Sequence, residues 1–107
     1  MPRKDGRKET LLRECAADYI SKESNRTSLI TVTGARFLSE GNRAEVMVTV
    51  LPDNQQAAAL DFLNRHKEGF RDYLKKHAAF KRLPFVSFAL DIGEKHRQRI
   101  DELSEDL

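Results

Sequence analysis

The sequence lacks the features that mark secreted, disulfide-bonded or membrane-spanning proteins. Cys15 is the single cysteine among 107 residues, so an internal disulfide and a cysteine-based zinc site are excluded. No apolar run approaches the roughly 18 residues that a membrane span needs. The N-terminal residues Met1–Asp5 contain no apolar segment, so we expect no secretory signal. These absences favour a protein of the reducing cytoplasm.

The sequence also lacks the common signatures of catalysis. It contains no G-x-S-x-G motif, no phosphate-binding loop, no dinucleotide-binding glycine pattern and no metal-binding histidine pair. His66 and His77 recur at core-like helical spacing, where a half-buried imidazole is commoner than a ligand or a base. Cys15 lies on an apolar helical stripe and is expected to be a buried side chain, not a nucleophile. We therefore expect no catalytic residue, no metal, no cofactor and no small-molecule substrate.

The charge of the chain is unevenly distributed. The composition, 39% hydrophobic and 34% charged, is that of one soluble domain with a single core. A net charge of +2 conceals a basic segment, 65–82, with seven Lys/Arg against two acids, and an acidic segment, 91–107, with six acids against three bases. A basic segment on a balanced protein suggests a polyanionic partner such as nucleic acid, and a merely solvated helix face is the alternative.

The first half of the chain predicts a helix and a β-hairpin. After a flexible basic tail, 1–8, the apolar spacing predicts a helix over Glu9–Ser21. Alternating residues predict strands over Leu29–Leu38 and Ala44–Leu51, and a clean polar face on the second strand indicates a sheet covered on one side. The alternation of the first strand slips by one residue near Thr33-Gly34, which indicates a β-bulge.

The second half predicts two consecutive helices and a third strand. Asp53 and Gln56 fit a capping box that starts a helix ending near His66. After Gly69 a further helix runs to about Phe80, and a strand follows over residues 85–90. The order α-β-β-α-α-β indicates an α+β fold, a two-layer sandwich in which the helices cover one face of a three-stranded sheet. A weakly apolar helical tail, 92–107, follows this domain, 9–91.

Candidate binding residues cluster where the two consecutive helices meet. Lys67, Arg71 and Lys75 recur at four-residue spacing and form what we call the basic stripe. Gly69 lies beside them in the sequence, and its cost in a helix, about 1 kcal/mol relative to alanine, indicates a kink or a close backbone approach. Lys76, Lys81 and Arg82 could extend the basic surface. With no exposed aromatic platform evident, we expect contacts to shape and phosphate instead of unpaired bases.

The order of elements matches a type II KH domain, but the GXXG loop of ordinary KH domains is absent. The chain resembles bacterial ribosome-binding factor A over about residues 9–103. The residues that carry the resemblance are Leu29–Thr33, Ala44–Leu51, Gly69-Phe70-Arg71, Arg82–Asp91 and Arg99–Leu103. The family has an interrupted Ala-x-Gly helix at this junction, so Gly69 corresponds to its glycine while Lys67 stands where the family has alanine.

The resemblance implies a non-enzymatic assembly factor. Such proteins bind the immature small (30S) ribosomal subunit and its 16S rRNA, assist late maturation of that RNA, and are associated with growth in the cold. We expect a cytoplasmic monomer that binds no membrane. The residues alone leave open a protein-interaction module whose basic face binds an acidic partner, and, less favoured, an unrecognised small enzyme.

Overall fold

The structure is a computed structural model that describes residues 3–24, 27–38, 42–78, 80 and 82–93. Its elements are α1 (Arg3–Glu23), β1 (Leu29–Leu38), β2 (Arg43–Leu51), a 3-10 turn (Asp53–Gln55), α2 (Gln56–Arg65), α3 (Lys67–His77) and β3 (Phe85–Leu90). None of the helices in these residues is both long enough and apolar enough to cross a bilayer. The predicted α-β-β-α-α-β order is confirmed.

The three strands form one mixed sheet in the order β1-β2-β3. β1 runs antiparallel to β2, as the short connection between them requires, and β3 runs parallel to β2. A parallel neighbour needs a crossover connection, and α2 with α3 supplies it. β3 pairs with β2 alone and is therefore an edge strand, and it is the first strand after the crossover helices.

The core lies between the helices and one face of the sheet. Alternate residues of β2, from Ala44 to Val50, are buried, and the residues between them are half-buried. Phe70 and Leu74 of α3 are fully buried against this face, together with Leu12 of α1 and Leu63 of α2. Burying each large apolar side chain contributes about 1.5–3 kcal/mol, so this layer holds the fold together. Cys15 is buried in the same core, as predicted.

The predicted β-bulge is present in β1. The register passes from Val32 paired with Val48 to Gly34 paired with Met47, so Thr33 is the extra residue. The Thr33 hydroxyl donates a hydrogen bond to Asp91 Oδ2 at 2.5 Å, and the Asp91 N–H donates to Val48 O at 2.8 Å. The bulge therefore links β1 to the end of β3 across the central strand.

Thr33→Val should lower the free energy of unfolding by about 1–3 kcal/mol, because it removes the hydrogen bond to the Asp91 carboxylate while preserving β-branched shape. Thr31→Val on the same strand is the matched control, since Thr31 is exposed. Urea titration of both variants measures the difference. Equal stability of the two variants would show that the Thr33–Asp91 bond contributes nothing.

Several predicted boundaries are corrected. α1 begins at Arg3, six residues before the predicted Glu9, because this segment consists mostly of good helix formers. α3 ends at His77 instead of Phe80, since Ala78 is extended with φ −133° and ψ 143°. The mobility of residues 1–8 and the division into 1–8, 9–91 and 92–107 stay predictions. Of the predicted C-terminal helix, everything after Gly93 lies outside the described residues.

The predicted capping box at the start of the second helix is wrong. Asp53–Gln55 forms a 3-10 turn, and α2 begins at Gln56 without a side-chain hydrogen bond from its N-cap residue. The Gln56 side-chain amide instead donates to Asp53 Oδ1 at 3.3 Å. Asp53 therefore lies within the 3-10 turn, three residues before α2, and is not the N-cap residue of that helix.

Candidate nucleic-acid interface

The two helices of the crossover are interrupted, as predicted, but the break lies at His66 and not at Gly69. His66 has φ −96° and ψ 9°, outside helical geometry, and it separates α2 from α3. Its N–H still donates to Leu63 O at 3.0 Å, and its own carbonyl accepts the Phe70 N–H at 2.9 Å. Gly69 therefore lies inside the first turn of α3 and is not the residue that breaks the helix.

Gly69 instead allows a side chain of α1 to approach α3. A Cβ placed on Gly69 would overlap the Tyr19 hydroxyl oxygen and lie 3.6 Å from the Tyr19 Cζ. Tyr19 is buried, and its ring packs against Phe70 and Tyr73 with centroid separations of 5.4 Å. Its hydroxyl also lies 3.3 Å from His66 Nδ1. The Tyr19 hydroxyl thus occupies the space that a Cβ of residue 69 would need.

Gly69→Ala should lower the free energy of unfolding by about 1–3 kcal/mol, because the added methyl group overlaps the hydroxyl of the buried Tyr19 side chain. In a Tyr19→Phe background the overlapping oxygen is absent and the Cζ contact is ordinary. Gly69→Ala should then stabilise the protein by up to about 1 kcal/mol through helix propensity.

Thermal and urea unfolding of the two single variants and the double variant measure this reversal of sign. A cost of Gly69→Ala that is the same in both backgrounds would show that Tyr19 is not the reason for glycine at this position.

The basic stripe and Gly69 lie on opposite flanks of α3. Gly69 and Arg71 are two residues apart, which places them about 200° apart around the helix axis. Gly69 faces α1 through Tyr19, whereas the Arg71 guanidinium lies over the Phe85 ring of β3, 4.6 Å from its centroid. Lys67 and Lys75 share the flank of Arg71, on the side of the edge strand. Lys76 is on the side of Gly69, about 100° around the helix axis from Lys75.

Most cations of this region have no acidic partner in the described part of the chain. The ion pairs there are Lys22–Asp18, Arg36–Glu45 and Arg65–Asp61. Lys67 is half-buried and Lys75 and Lys76 are exposed, and none of the three forms an ion pair there. Arg82 donates to the Asn42 side chain at 3.2 Å. Lys81 lies outside the described residues.

Two residues beside the basic stripe were not predicted as candidates from the sequence. Phe85 is 65% exposed, an exposed aromatic ring that was not evident from the sequence. Arg43 is exposed and is the register partner of Phe85 on β2. The alternation of β3 contains the signal: Val86 and Phe88 face the core, which directs Phe85 to the other side.

The other flank of α3 carries a polar cluster with α1. The Tyr73 hydroxyl donates to Asp18, whose carboxylate also pairs with Lys22 at 3.2 Å. The bond from Tyr73 and the pairing with Lys22 lower the pKa of Asp18, and the bond to Asp18 raises the pKa of Tyr73 to about 12. His77 stacks on Tyr73 with ring centroids 4.2 Å apart. This cluster holds α3 against α1.

The tyrosines should titrate at unusually high pH. Absorbance at alkaline pH should show Tyr73 ionising near pH 12, and Asp18→Ala should return its pKa toward 10. Between these values the folded protein retains a proton that the unfolded chain releases, so stability falls as the pH rises through this range. An unchanged titration in Asp18→Ala would contradict the hydrogen bond. Glu14→Ala, an exposed acid on the same helix, is the control.

The family follows from a comparison with known sequences. A model of the ribosome-binding factor A family matches residues 4–104. The chain belongs to the ribosome-binding factor A family. That match covers the whole KH-like unit and the junction of α2 with α3, and the resemblance seen in the sequence is therefore confirmed.

Solved structures show the same fold. The crystal structure of ribosome-binding factor A from Thermus thermophilus is 23% identical, with a TM-score of 0.73 over 80% of this chain and 93% of that chain. A Thermus thermophilus ribosome-binding factor A homology model, fitted into the cryo-EM map of a 30S complex, is 23% identical with a TM-score of 0.66, covering 76% and 88%. A Thermotoga maritima protein solved by NMR is 17% identical with a TM-score of 0.71, covering 83% and 88%.

Proposed function

We propose that this protein binds the immature small ribosomal subunit through its 16S rRNA and assists late maturation of that RNA without catalysing a reaction. Three things support the proposal: the family, the 30S complex of the Thermus thermophilus relative, and the cations on one flank of α3. The cytoplasm, where subunits are assembled, is the compartment we expect. A monomeric state and a role in the cold belong to the same proposal.

The observation that carries the proposal is the absence of acidic partners for cations on and beside the basic stripe. Lys67, Lys75 and Arg82 form no ion pair among the residues that the structure describes. Cations left unpaired on one flank are free to neutralise phosphates, and each contact releases a counterion and strengthens binding at low salt. Arg65, by contrast, is paired with Asp61 one helix earlier.

The position of Lys67 favours a binding role over a structural one. Lys67 lies in the first turn of α3, where the helix dipole and the free N–H groups favour a negative charge. A lysine there costs stability, whereas Lys75 and Lys76 in the last turn are stabilised by the same dipole. Phosphate is the ligand that both the Lys67 ammonium and the start of α3 would attract.

Lys67→Glu should therefore weaken binding to the small subunit while raising the free energy of unfolding by about 0.3–1 kcal/mol. Sucrose-gradient co-sedimentation with free small subunits measures binding, and the same gradients from cells report unprocessed 16S rRNA. The triple variant Lys67→Glu, Lys75→Glu, Arg82→Glu should abolish co-sedimentation and increase the precursor.

The matched control reverses the charge of three basic residues on α1. Arg7→Glu, Lys8→Glu and Arg13→Glu change the net charge equally on exposed positions of α1. If both triple variants lose binding alike, only net charge matters, and Lys67, Lys75 and Arg82 are not the contact. A complex that withstands high salt would instead favour a protein partner, because phosphate contacts weaken steeply as salt rises.

A further inference from the structure

The surface around Phe85 combines an exposed aromatic ring with arginines. Phe85 begins the edge strand β3, and 65% of it is exposed. One side of its ring is occupied by the Arg71 guanidinium, whose carbon lies 4.6 Å from the ring centroid. Since 65% of the residue is still exposed, we infer that the ring face away from Arg71 is accessible to a ligand.

The backbone holds Phe85 firmly in this orientation. Pro84 before it is buried, and Val86 after it is buried in the core, so the ring is directed out of the core. The Phe85 N–H donates to Asn42 O at 2.9 Å, which fixes the start of the strand against the end of the β1–β2 connection. A ring held by such a backbone loses little conformational freedom when it binds a ligand.

Three arginines lie near Phe85 in the structure or in the sequence. Arg71 stacks on it from α3, Arg43 is its register partner on β2, and Arg82 precedes it by three residues. The Arg71 Nε is buried with no hydrogen-bond acceptor in the described part of the chain, so stacking, not a hydrogen bond, positions this guanidinium. None of the three pairs with a carboxylate there.

This combination fits an unpaired nucleobase better than a duplex or an acidic protein. Proteins that bind single-stranded RNA stack bases on aromatic rings and guanidinium planes while cations contact the neighbouring phosphates. A duplex offers no free base face, and an acidic protein surface would use the arginines but leave the ring without a planar partner. An isolated exposed apolar residue is common. An exposed ring that stacks on Arg71, with Arg43 as its register partner and Arg82 three residues earlier, is a more specific arrangement.

We propose that an unpaired base of single-stranded RNA stacks on the open face of Phe85, with its phosphates held by Arg43 and Arg82. This inference rests on the proposed function, because it names the kind of RNA, single-stranded, that would bind the surface beside the basic stripe. Arg71 supports the ring from the opposite face.

The direct test uses the absence of tryptophan from the sequence. Phe85→Trp places a single tryptophan in the full-length protein at the proposed stacking position, and its emission can be excited selectively over that of the two tyrosines. An oligouridylate of about ten nucleotides, within the usual site size, should quench its emission saturably. An oligomer of the same length with abasic sugars, which keeps the phosphates, and a matched RNA duplex should both leave the emission nearly unchanged. Equal quenching by the abasic oligomer would overturn stacking.

The second test separates stacking from charge. Phe85→Leu keeps an apolar side chain but removes the ring, and it should weaken oligouridylate binding about fivefold or more with no change in salt dependence. Arg43→Gln should reduce the salt slope by about 0.7 instead. Leu29→Ala is the control, because Leu29 is similarly exposed, at 62%, on the opposite edge strand.

The outcomes distinguish this inference from the function on which it rests. If the wild-type protein binds small subunits and Phe85→Leu binds oligouridylate as tightly as wild type does, the base-stacking site is wrong and the proposed function stands. If the wild-type protein binds neither subunits nor any RNA, both fall. If it binds duplex RNA but no single strand, the basic stripe contacts phosphates alone and the inference is overturned.

Discussion

The approach of the Tyr19 hydroxyl to Gly69 sets the geometry of the whole interface. A buried phenol needs a hydrogen-bond partner, and the Tyr19 hydroxyl finds one in His66 Nδ1, the residue at the helix break. Burial raises the pKa of Tyr19, so the phenol stays neutral at physiological pH. One residue of α1 therefore fills the space over the first turn of α3 and contacts the point where α2 ends.

This contact determines which residues α3 presents on each side. With Gly69 turned toward α1, Phe70 and Leu74 face the sheet, and Lys67 and Arg71 face the edge strand. A different rotation of α3 would place the arginine in the core or the phenylalanine in water, and either would cost several kcal/mol. The apolar contacts that bury Phe70 and Leu74 thus also set the direction in which the Lys67 and Arg71 side chains point. No further contacts are needed to orient these cations.

The strands were more predictable from the sequence than the helices. The slip of alternation at Thr33-Gly34 located the bulge because side-chain direction in a strand depends only on the parity of the residue. The start of α1 at Arg3 was missed because helix propensity without an apolar stripe gives a weak signal. The role of Gly69 could not be read from the sequence, since it depends on Tyr19, fifty residues earlier, reaching the same point in space.

The arrangement around Phe85 follows from the same register that builds the core. The pairing of Ala44 with Val86 and of Val46 with Phe88 buries these residues, and it leaves Phe85 beside Arg43 on the other face. A shift of one residue would bury Phe85 and expose Val86 and Phe88, at the cost of most of the apolar contact of β3. The exposed ring is therefore enforced by its buried neighbours, and an aromatic side chain there gains its favourable contacts from Arg71, not from the core. The buried neighbours hold this ring in place, and the core does not depend on the ring for its packing. Phe85 is therefore available for binding.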